Sequence, residues 1–342
     1  MTLSRLGGLL LACTLALTAR AGDFDQYEEL QALIAALEKD GTYAPGELTA
    51  LFTVVNRQDK ALEAIARPAE KTREWKQYRP QFLTEERIRK GVEFWSRYEK
   101  ELTLAESKFG VPPEMIVGIL GVETRFGAGK GNFRVLDTLA SLAFDYPPRA
   151  SYFRKELKSF LILAKNEKLD PLSIYGSYAG AMGYPQFMPS SWRNLAVDFD
   201  EDNRIDLINN PIDAIGSVAN YFMANGWKSG APVAERARIT ADTYDEATSG
   251  DLKSASTLGD LAARGLAPRD SDKAQDAATP ASGLRLQGEN GAEFWIAYDN
   301  FYVITRYNRS LMYAMAVTQL GNAIKEARQA AGASPQEKTS NI

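Results

Sequence analysis

Histidine is absent from this chain of 342 residues, and cysteine occurs once, at Cys13. The first absence removes Ser-His-Asp and Cys-His catalysis, imidazole proton relays and histidine-ligated zinc. The second removes an internal disulfide and, because Cys13 sits in an apolar N-terminal stretch, catalytic thiol chemistry as well. Basic runs are missing too, and a net charge of −4 leaves no electrostatic footprint for nucleic acid. Acid–base chemistry must therefore rest on carboxylates, tyrosines or lysines. What is present, 45% hydrophobic and 25% charged residues, is the composition of a globular chain long enough to bury a real core.

Residues 1–21 carry the parts of a secretory signal: Arg5 as the positive region, Leu6 to Leu17 as the apolar region, and Ala19-Arg20-Ala21 as a small-x-small cleavage site. The apolar run is short and interrupted by Thr14 and Thr18, so no transmembrane segment is expected in the mature chain. A competing reading takes Leu10-Leu11-Ala12-Cys13 as a lipobox with Cys13 as a lipid anchor. It leaves only Leu6 to Ala12 as the apolar region, and cleavage after Ala21 is the preferred reading.

The rest of the chain reads as mainly α. Phe24, Tyr27, Leu30, Ile34 and Leu37 recur at helical spacing and stop at Gly41, and a short helix follows Pro45. Thr84-Glu85-Glu86 opens a helix that buries Ile88, Val92, Trp95, Leu102 and Phe109 and ends at Gly110. Pro112-Pro113 starts the next, ending at Gly127, and further helices are expected at 152–168 and 211–224. From Lys228 the texture changes. Leu284 and Leu286, then Phe294, Ile296 and Tyr298, then Tyr302, Ile304 and Arg306 alternate with period two, with Gly288-Glu289-Asn290-Gly291 and Asp299-Asn300 as turns. The expected organisation is an N-terminal helical region at 22–83, a helical core at 84–228, a small antiparallel β domain with a polar loop at 229–306, a C-terminal helix at 307–330 and a disordered tail at 331–342.

Three segments carry chemistry. Glu123 shares a helix face with Ile116 and Leu120, one turn from a helix C-terminus. Desolvation and the helix dipole both disfavour its ionised form there, and a carboxylic acid held neutral suits protonation of a glycosidic oxygen. The structural alternative is an ion pair with Arg125 or Arg134. The segment 176–192, Gly-Ser-Tyr-Ala-Gly-Ala-Met-Gly-Tyr-Pro-Gln-Phe-Met-Pro-Ser-Ser-Trp, can bring backbone donors and flat apolar faces to a sugar, or be an ordered turn. Asp198, Asp200 and Asp202, with Arg204 and Asp206 after them, resemble a calcium loop, but Asn203 stands where glycine is usual and Asn209 where glutamate is. The alternative is an acidic solvated loop.

Taken together, Pro112-Pro113-Glu114-Met115-Ile116-Val117-Gly118-Ile119-Leu120-Gly121-Val122-Glu123-Thr124-Arg125-Phe126-Gly127, the loop from Gly180 to Trp192, the run from Asp213 to Phe222 and the run from Phe301 to Asn308 resemble the B-type lytic murein transglycosylases, in the right order over residues 75–325. The resemblance implies a lysozyme-like helical core with an added helical region and a small β domain. It implies cleavage of the N-acetylmuramic acid–N-acetylglucosamine bond of peptidoglycan glycan strands in the periplasm, with 1,6-anhydromuramoyl ends, Glu123 as the single acid/base and no cofactor for catalysis. By the same resemblance Ser177, Gln186, Tyr221, Tyr307, Asn308 and Tyr313 line the cleft, Tyr78 stands at its edge, and Arg149 meets the acidic part of the substrate. The family's Arg-Arg pair is Pro148-Arg149 here. A structural Ca²⁺ would be held by Asp198, Asp200, Asp202, the Arg204 carbonyl and Asp206, with Asp213 closing the shell. Other cell-wall enzymes are the implied class of protein partner. Two alternatives stay open: a muramidase that uses water on the same bond, and a silent peptidoglycan-binding scaffold. Asp137 and Asp145 remain alternative carboxylates.

Overall fold

The computed structural model describes residues 22–67, 73–248, 256–269 and 275–333, so the expected signal at 1–21, including Cys13, lies outside the described residues. The chain divides into two units, residues 1–56 and 57–342. In the first, α1 (Glu28–Lys39) and α2 (Glu47–Phe52) follow the apolar spacing read from the sequence, and Leu30, Ile34, Leu37, Leu48 and Phe52 are buried. Two more helices before residue 84, not singled out from the spacing, belong to the second unit: α3 (Asp59–Ala66) and the short α4 (Trp75–Tyr78).

The single helix expected from Thr84 to Gly110 is two helices, α5 (Glu85–Arg97) and α6 (Glu99–Phe109). Thr84 does cap the start, its hydroxyl accepting from the Arg87 N–H at 3.2 Å. The break falls at Tyr98, whose backbone leaves the helical region (φ −114°, ψ 33°), its ring packed on Phe94 at 4.7 Å. The central element is α7 (Pro113–Thr124), buried on nearly every side and started by proline where an N–H would go unused. On it packs α11 (Pro211–Ala224), while α8 (Val135–Asp145), α9 (Ala150–Asn166) and α10 (Pro189–Leu195) pack on one another in succession, α10 reaching α11. A two-residue ladder joins β1 (Phe133–Arg134) to β2 (Tyr175–Gly176).

The small sheet has five strands in the order β4-β6-β7-β3-β5, all pairs antiparallel: β3 (Ala234–Ile239), β4 (Ser256–Thr257), β5 (Leu266–Pro268), β6 (Pro280–Gly288) and β7 (Gly291–Tyr298). The hairpin at 288–291 is as expected, with Gly288 paired to Gly291. One side of the sheet packs Leu284, Leu286, Trp295 and Ala297 into the helical core, while Ile296 and Tyr298 close a smaller core with Leu258 and Leu261 of α12 (Leu258–Ala263).

The third expected strand is a helix, α13 (Asp299–Tyr307). Its β-branched run Val303-Ile304-Thr305 imitates a strand, but Asn300 to Thr305 are all buried, which erases any period. The Asp299-Asn300 pair starts the helix, and the buried Asn300 amide bonds both backbone groups of Lys228 and the Ala231 carbonyl. The last helix, α14 (Leu311–Ala333), runs past residue 330; of the tail expected at 331–342, residues 334–342 lie outside the described residues. α14 packs directly on α7. A Cβ on Gly118 would stand 2.7 Å from the Val317 carbonyl and one on Gly321 2.2 Å from the Glu114 carbonyl, so glycine at both positions lets the two backbones touch.

Candidate active site

Glu123 is the penultimate residue of α7, half-buried, and its carboxylate accepts a hydrogen bond from the Tyr313 hydroxyl of α14. Arg134, one of the arginines proposed to pair with it, is bound to Asp137 at 2.7 Å. Two further tyrosines stand with it. Tyr307 donates to the Pro185 carbonyl and Tyr221 to the Arg306 carbonyl, each at 2.8 Å. Their ring centroids are 4.7 Å apart, with Phe187 5.5 Å from Tyr221 and 5.8 Å from Tyr307.

Burial, reinforced by the charge of Glu123, holds the Tyr307 and Tyr313 phenols well above 10, and burial pushes Tyr221 up to about 12. All three stay protonated, and therefore donors, across the neutral range. Tyr78 lies close enough to act electrostatically on Tyr313, and Tyr152 on Tyr221. The exposed Arg149 lays its guanidinium over the Tyr152 ring at 4.3 Å.

The glycine-rich segment is an ordered loop with its polar groups assigned. Ser177 Oγ accepts from the backbone N–H groups of Ala179 (3.2 Å) and Ala181 (3.1 Å). Gln186 sits at φ 50°, and its Nε2 donates to the Gly183 and Lys130 carbonyls at 2.9 and 3.2 Å. The loop ends on α10, whose first turn is held by the buried Glu156 carboxylate. It accepts from Ser190 N at 2.9 Å and Ser190 Oγ at 2.7 Å, an anion at a helix N-terminus. Asn308 follows α13 directly, half-buried beside Tyr307.

The two alternative carboxylates are taken up elsewhere. Asp137 is bound by Arg134 and by Gln58 Nε2 at 3.1 Å, and Asp145 by Arg57 at 2.8 Å. A cavity of about 530 Å³ lined by Glu106, Glu114, Met115, Trp227, Val233 and Glu235 opens at the N-terminal end of α7 and includes none of the candidate residues.

In the acidic loop, carboxylate oxygens of Asp198, Asp200 and Asp202 all lie within 4.8 Å of one another. Hard oxygen donors at that separation suit calcium. Asn203 holds the turn at φ 69°, where the pattern usually has glycine. Asp213 does not join the three. It is fully buried, and its two oxygens accept from the N–H groups of Phe199 (2.9 Å) and Asp206 (2.8 Å), tying the ends of the loop together. Burial raises its carboxyl, those two N–H bonds lower it, and the charges of Asp200 and Asp198 raise it further. Asp206 likewise turns to the backbone, accepting from Ile208 and Asn209, with the Arg204 guanidinium 3.5 Å away.

Residues 25–322 match the transglycosylase SLT domain family. The chain belongs to that family. This transglycosylase is 42% identical over 331 residues to membrane-bound lytic murein transglycosylase B of Escherichia coli strain K12, covering 94% of this chain and 90% of that protein. Its fold superposes on the catenated lytic transglycosylase SltB1 of Pseudomonas aeruginosa with a TM-score of 0.84, at 48% identity over 90% of this chain and all of that one. It also superposes on the E. coli lytic transglycosylase Slt35 in complex with calcium, with a TM-score of 0.81 at 43% identity, over 90% of this chain and 96% of that one. The chain is thus a lytic transglycosylase with the lysozyme-like fold of its neighbours. Among the described residues no helix is long and apolar enough to cross a membrane.

Three residues that tie the candidate site together were not singled out from sequence: Thr124, Lys130 and Tyr184. Lys130 lies over the Tyr184 ring at 4.6 Å and donates to the Ile208 carbonyl at 2.7 Å, and the Tyr184 N–H donates to the Leu207 carbonyl at 2.8 Å. These contacts bolt the cleft loop to the acidic loop. All three residues sit in or beside recognisable motifs, but their partners are distant in sequence, and nothing local announces them.

Proposed function

We propose that this lytic transglycosylase cuts the bond between N-acetylmuramic acid and N-acetylglucosamine in peptidoglycan and leaves 1,6-anhydromuramoyl ends, with Glu123 performing both proton transfers. The observation that carries the reading is one carboxylate, Glu123, half-buried at a helix end and held by a tyrosine that never ionises at working pH. Asp137 and Asp145 are committed to ion pairs, which favours a single-carboxylate mechanism over the two-carboxylate arrangement of most glycosidases.

Protonated Glu123 donates to the bridging oxygen, and the C1–O bond breaks as positive charge develops on the muramoyl C1, where the 2-acetamido oxygen can assist. The resulting carboxylate then removes the proton of the muramoyl C6 hydroxyl, whose oxygen closes on C1. Glu123 is regenerated in its acid form and no water is consumed. Tyr313 holds one carboxylate oxygen and so orients the group toward the sugar. Tyr221 and Tyr307, backed by the buried Phe187, offer aromatic faces, Ser177, Gln186 and Asn308 meet acetamido and hydroxyl groups, Tyr78 bounds the cleft, and Arg149 faces a lactyl or peptide carboxylate.

SltB3 of P. aeruginosa, 28% identical with a TM-score of 0.77, has been solved with NAG-anhNAM-pentapeptide, which is consistent with that product class. The polymer's location makes the periplasm the site of action. A Ca²⁺ in the acidic loop would be held by Asp198, Asp200 and Asp202 with the Arg204 carbonyl, and would neutralise their charge without entering the chemistry.

Digestion of purified sacculi with mass spectrometry of the fragments tests the reading. Products one water lighter than hydrolysis fragments are expected, and hydrated reducing ends would make the enzyme a muramidase. Glu123→Gln is expected to lower turnover by at least about 10⁴-fold, the upper end for general acid–base catalysis, while the fold and glycan binding persist.

A further inference from the structure

We propose that Thr124 is a positioning residue, a clamp that fixes the distance between the Glu123 carboxylate and the Gln186 loop. The inference rests on the reading of Glu123 as the acid/base.

α7 ends at Thr124, and the two residues after it are both in the left-handed region, Arg125 at φ 53° and Phe126 at φ 61°. That conformation is unfavourable for an L-residue, so two in succession must be held by their surroundings. Part of the hold is backbone: Phe126 N donates to the Leu120 carbonyl at 3.0 Å and Gly129 N to the Thr124 carbonyl at 2.9 Å. Another part is packing, because the Phe126 ring stacks on Phe94 at 5.4 Å and fills the space that a Cβ on Gly121 would need. Gly127 (φ 92°) lies so close to the Tyr184 ring that an added Cβ would stand 2.1 Å from it.

The Thr124 side chain does what neither of these does. Fully buried, its hydroxyl accepts from the Gly127 N–H at 3.0 Å and donates to the Tyr184 carbonyl at 2.9 Å. One oxygen therefore closes the strained turn and fastens the helix end to the loop that carries Gln186, two residues after Tyr184. Glu123 is the adjacent residue on the helix, so any rotation of that last turn moves its carboxylate against the bound sugar. Displacement of a reacting group by about 1 Å can cost on the order of 10²-fold in rate.

Thr124→Val keeps the shape and removes the hydroxyl, while Thr124→Ser keeps the hydroxyl. On a soluble glycan fragment, the valine variant is expected to lose about tenfold to a hundredfold in kcat with KM changed by no more than about twofold, and serine to restore kcat to within about threefold of wild type. Circular dichroism at the assay temperature confirms that the valine variant is folded. If it is not, Thr124→Ala is compared with serine in its place. In a Glu123→Gln background Thr124→Val should cause no further loss of residual turnover, because the two residues act as a unit. Wild-type kcat in the folded valine variant, a loss confined to KM, or a loss that adds in full to that of Glu123→Gln would each overturn the proposal. The reading of Glu123 fails separately, if Glu123→Gln alone retains turnover.

Discussion

Removing the Tyr313 hydroxyl isolates what that group does for Glu123. The phenol is buried and donates to one oxygen of the carboxylate, and its own titration lies well above 10, so it acts as a fixed dipole at every pH where the enzyme works. A hydrogen bond to a charged group is worth about 1.5–3 kcal/mol and favours the ionised carboxylate. Tyr313→Phe withdraws that support, so the charged form of Glu123 becomes harder to reach. At about 1.36 kcal/mol per pH unit, the alkaline limb of the pH–rate profile should move upward by about 1–2 units. In the proposed mechanism the acid form starts the reaction, so the variant should remain active at pH values where the wild type has begun to fall. Turnover at the optimum should drop, because the second step needs the carboxylate as a base and its orientation is less defined. Stability should fall by no more than about 1–2 kcal/mol, since Glu123 is half-exposed and water can replace the lost donor. The assay is the initial rate of fragment release from sacculi at intervals from about pH 5 to pH 9. A profile that superimposes on the wild type, with unchanged kcat, would refute the reasoning.

Glu156→Ala removes the anion that holds the first turn of α10 and leaves the Ser190 N–H without its acceptor, so a loss of about 2–4 kcal/mol is expected in a denaturant titration. Glu156→Gln should cost less, because the amide oxygen can still accept. Calcium at about 100 times its Kd should raise stability by about 2.7 kcal/mol, and Asp200→Asn should reduce that gain; melting curves with calcium and with chelator that coincide would remove the metal from the account. Between about pH 8 and pH 10 the buried phenols leave stability level, and above about pH 10 it should fall. Burial holds the phenols of Tyr221, Tyr298, Tyr307 and Tyr313 above the usual 10.0 in the native state, Tyr221 at about 12, so the unfolded chain releases its protons first. Urea midpoints measured from about pH 8 to pH 11 check the sign, which would be wrong if stability rose with pH in that window.

Much of the helical frame was legible because it depends on short-range signals. Apolar spacing, Thr84 as a cap, Pro113 at a first turn and the Gly288–Gly291 hairpin each report a local preference, and each stands where the pattern put it. The misreadings share one cause. Tyr98 breaks a helix and Val303-Ile304-Thr305 joins one because of what surrounds them, and burial on every side leaves no period to read.

The chemistry divides the same way. The lack of histidine, the placement of Glu123 on an apolar helix and the run of alternate aspartates are properties of the sequence alone, and they narrowed the reaction to carboxylate chemistry with an acidic loop beside it. That Tyr313 meets Glu123, that Asp213 ties the acidic loop together instead of joining the three aspartates, and that Thr124 bridges to Tyr184 were decided only by tertiary structure. Those partners are separated by 190, 14 and 60 positions. A hydrogen bond depends on where two atoms come to rest in space, and at such separations local sequence carries almost no information about that distance.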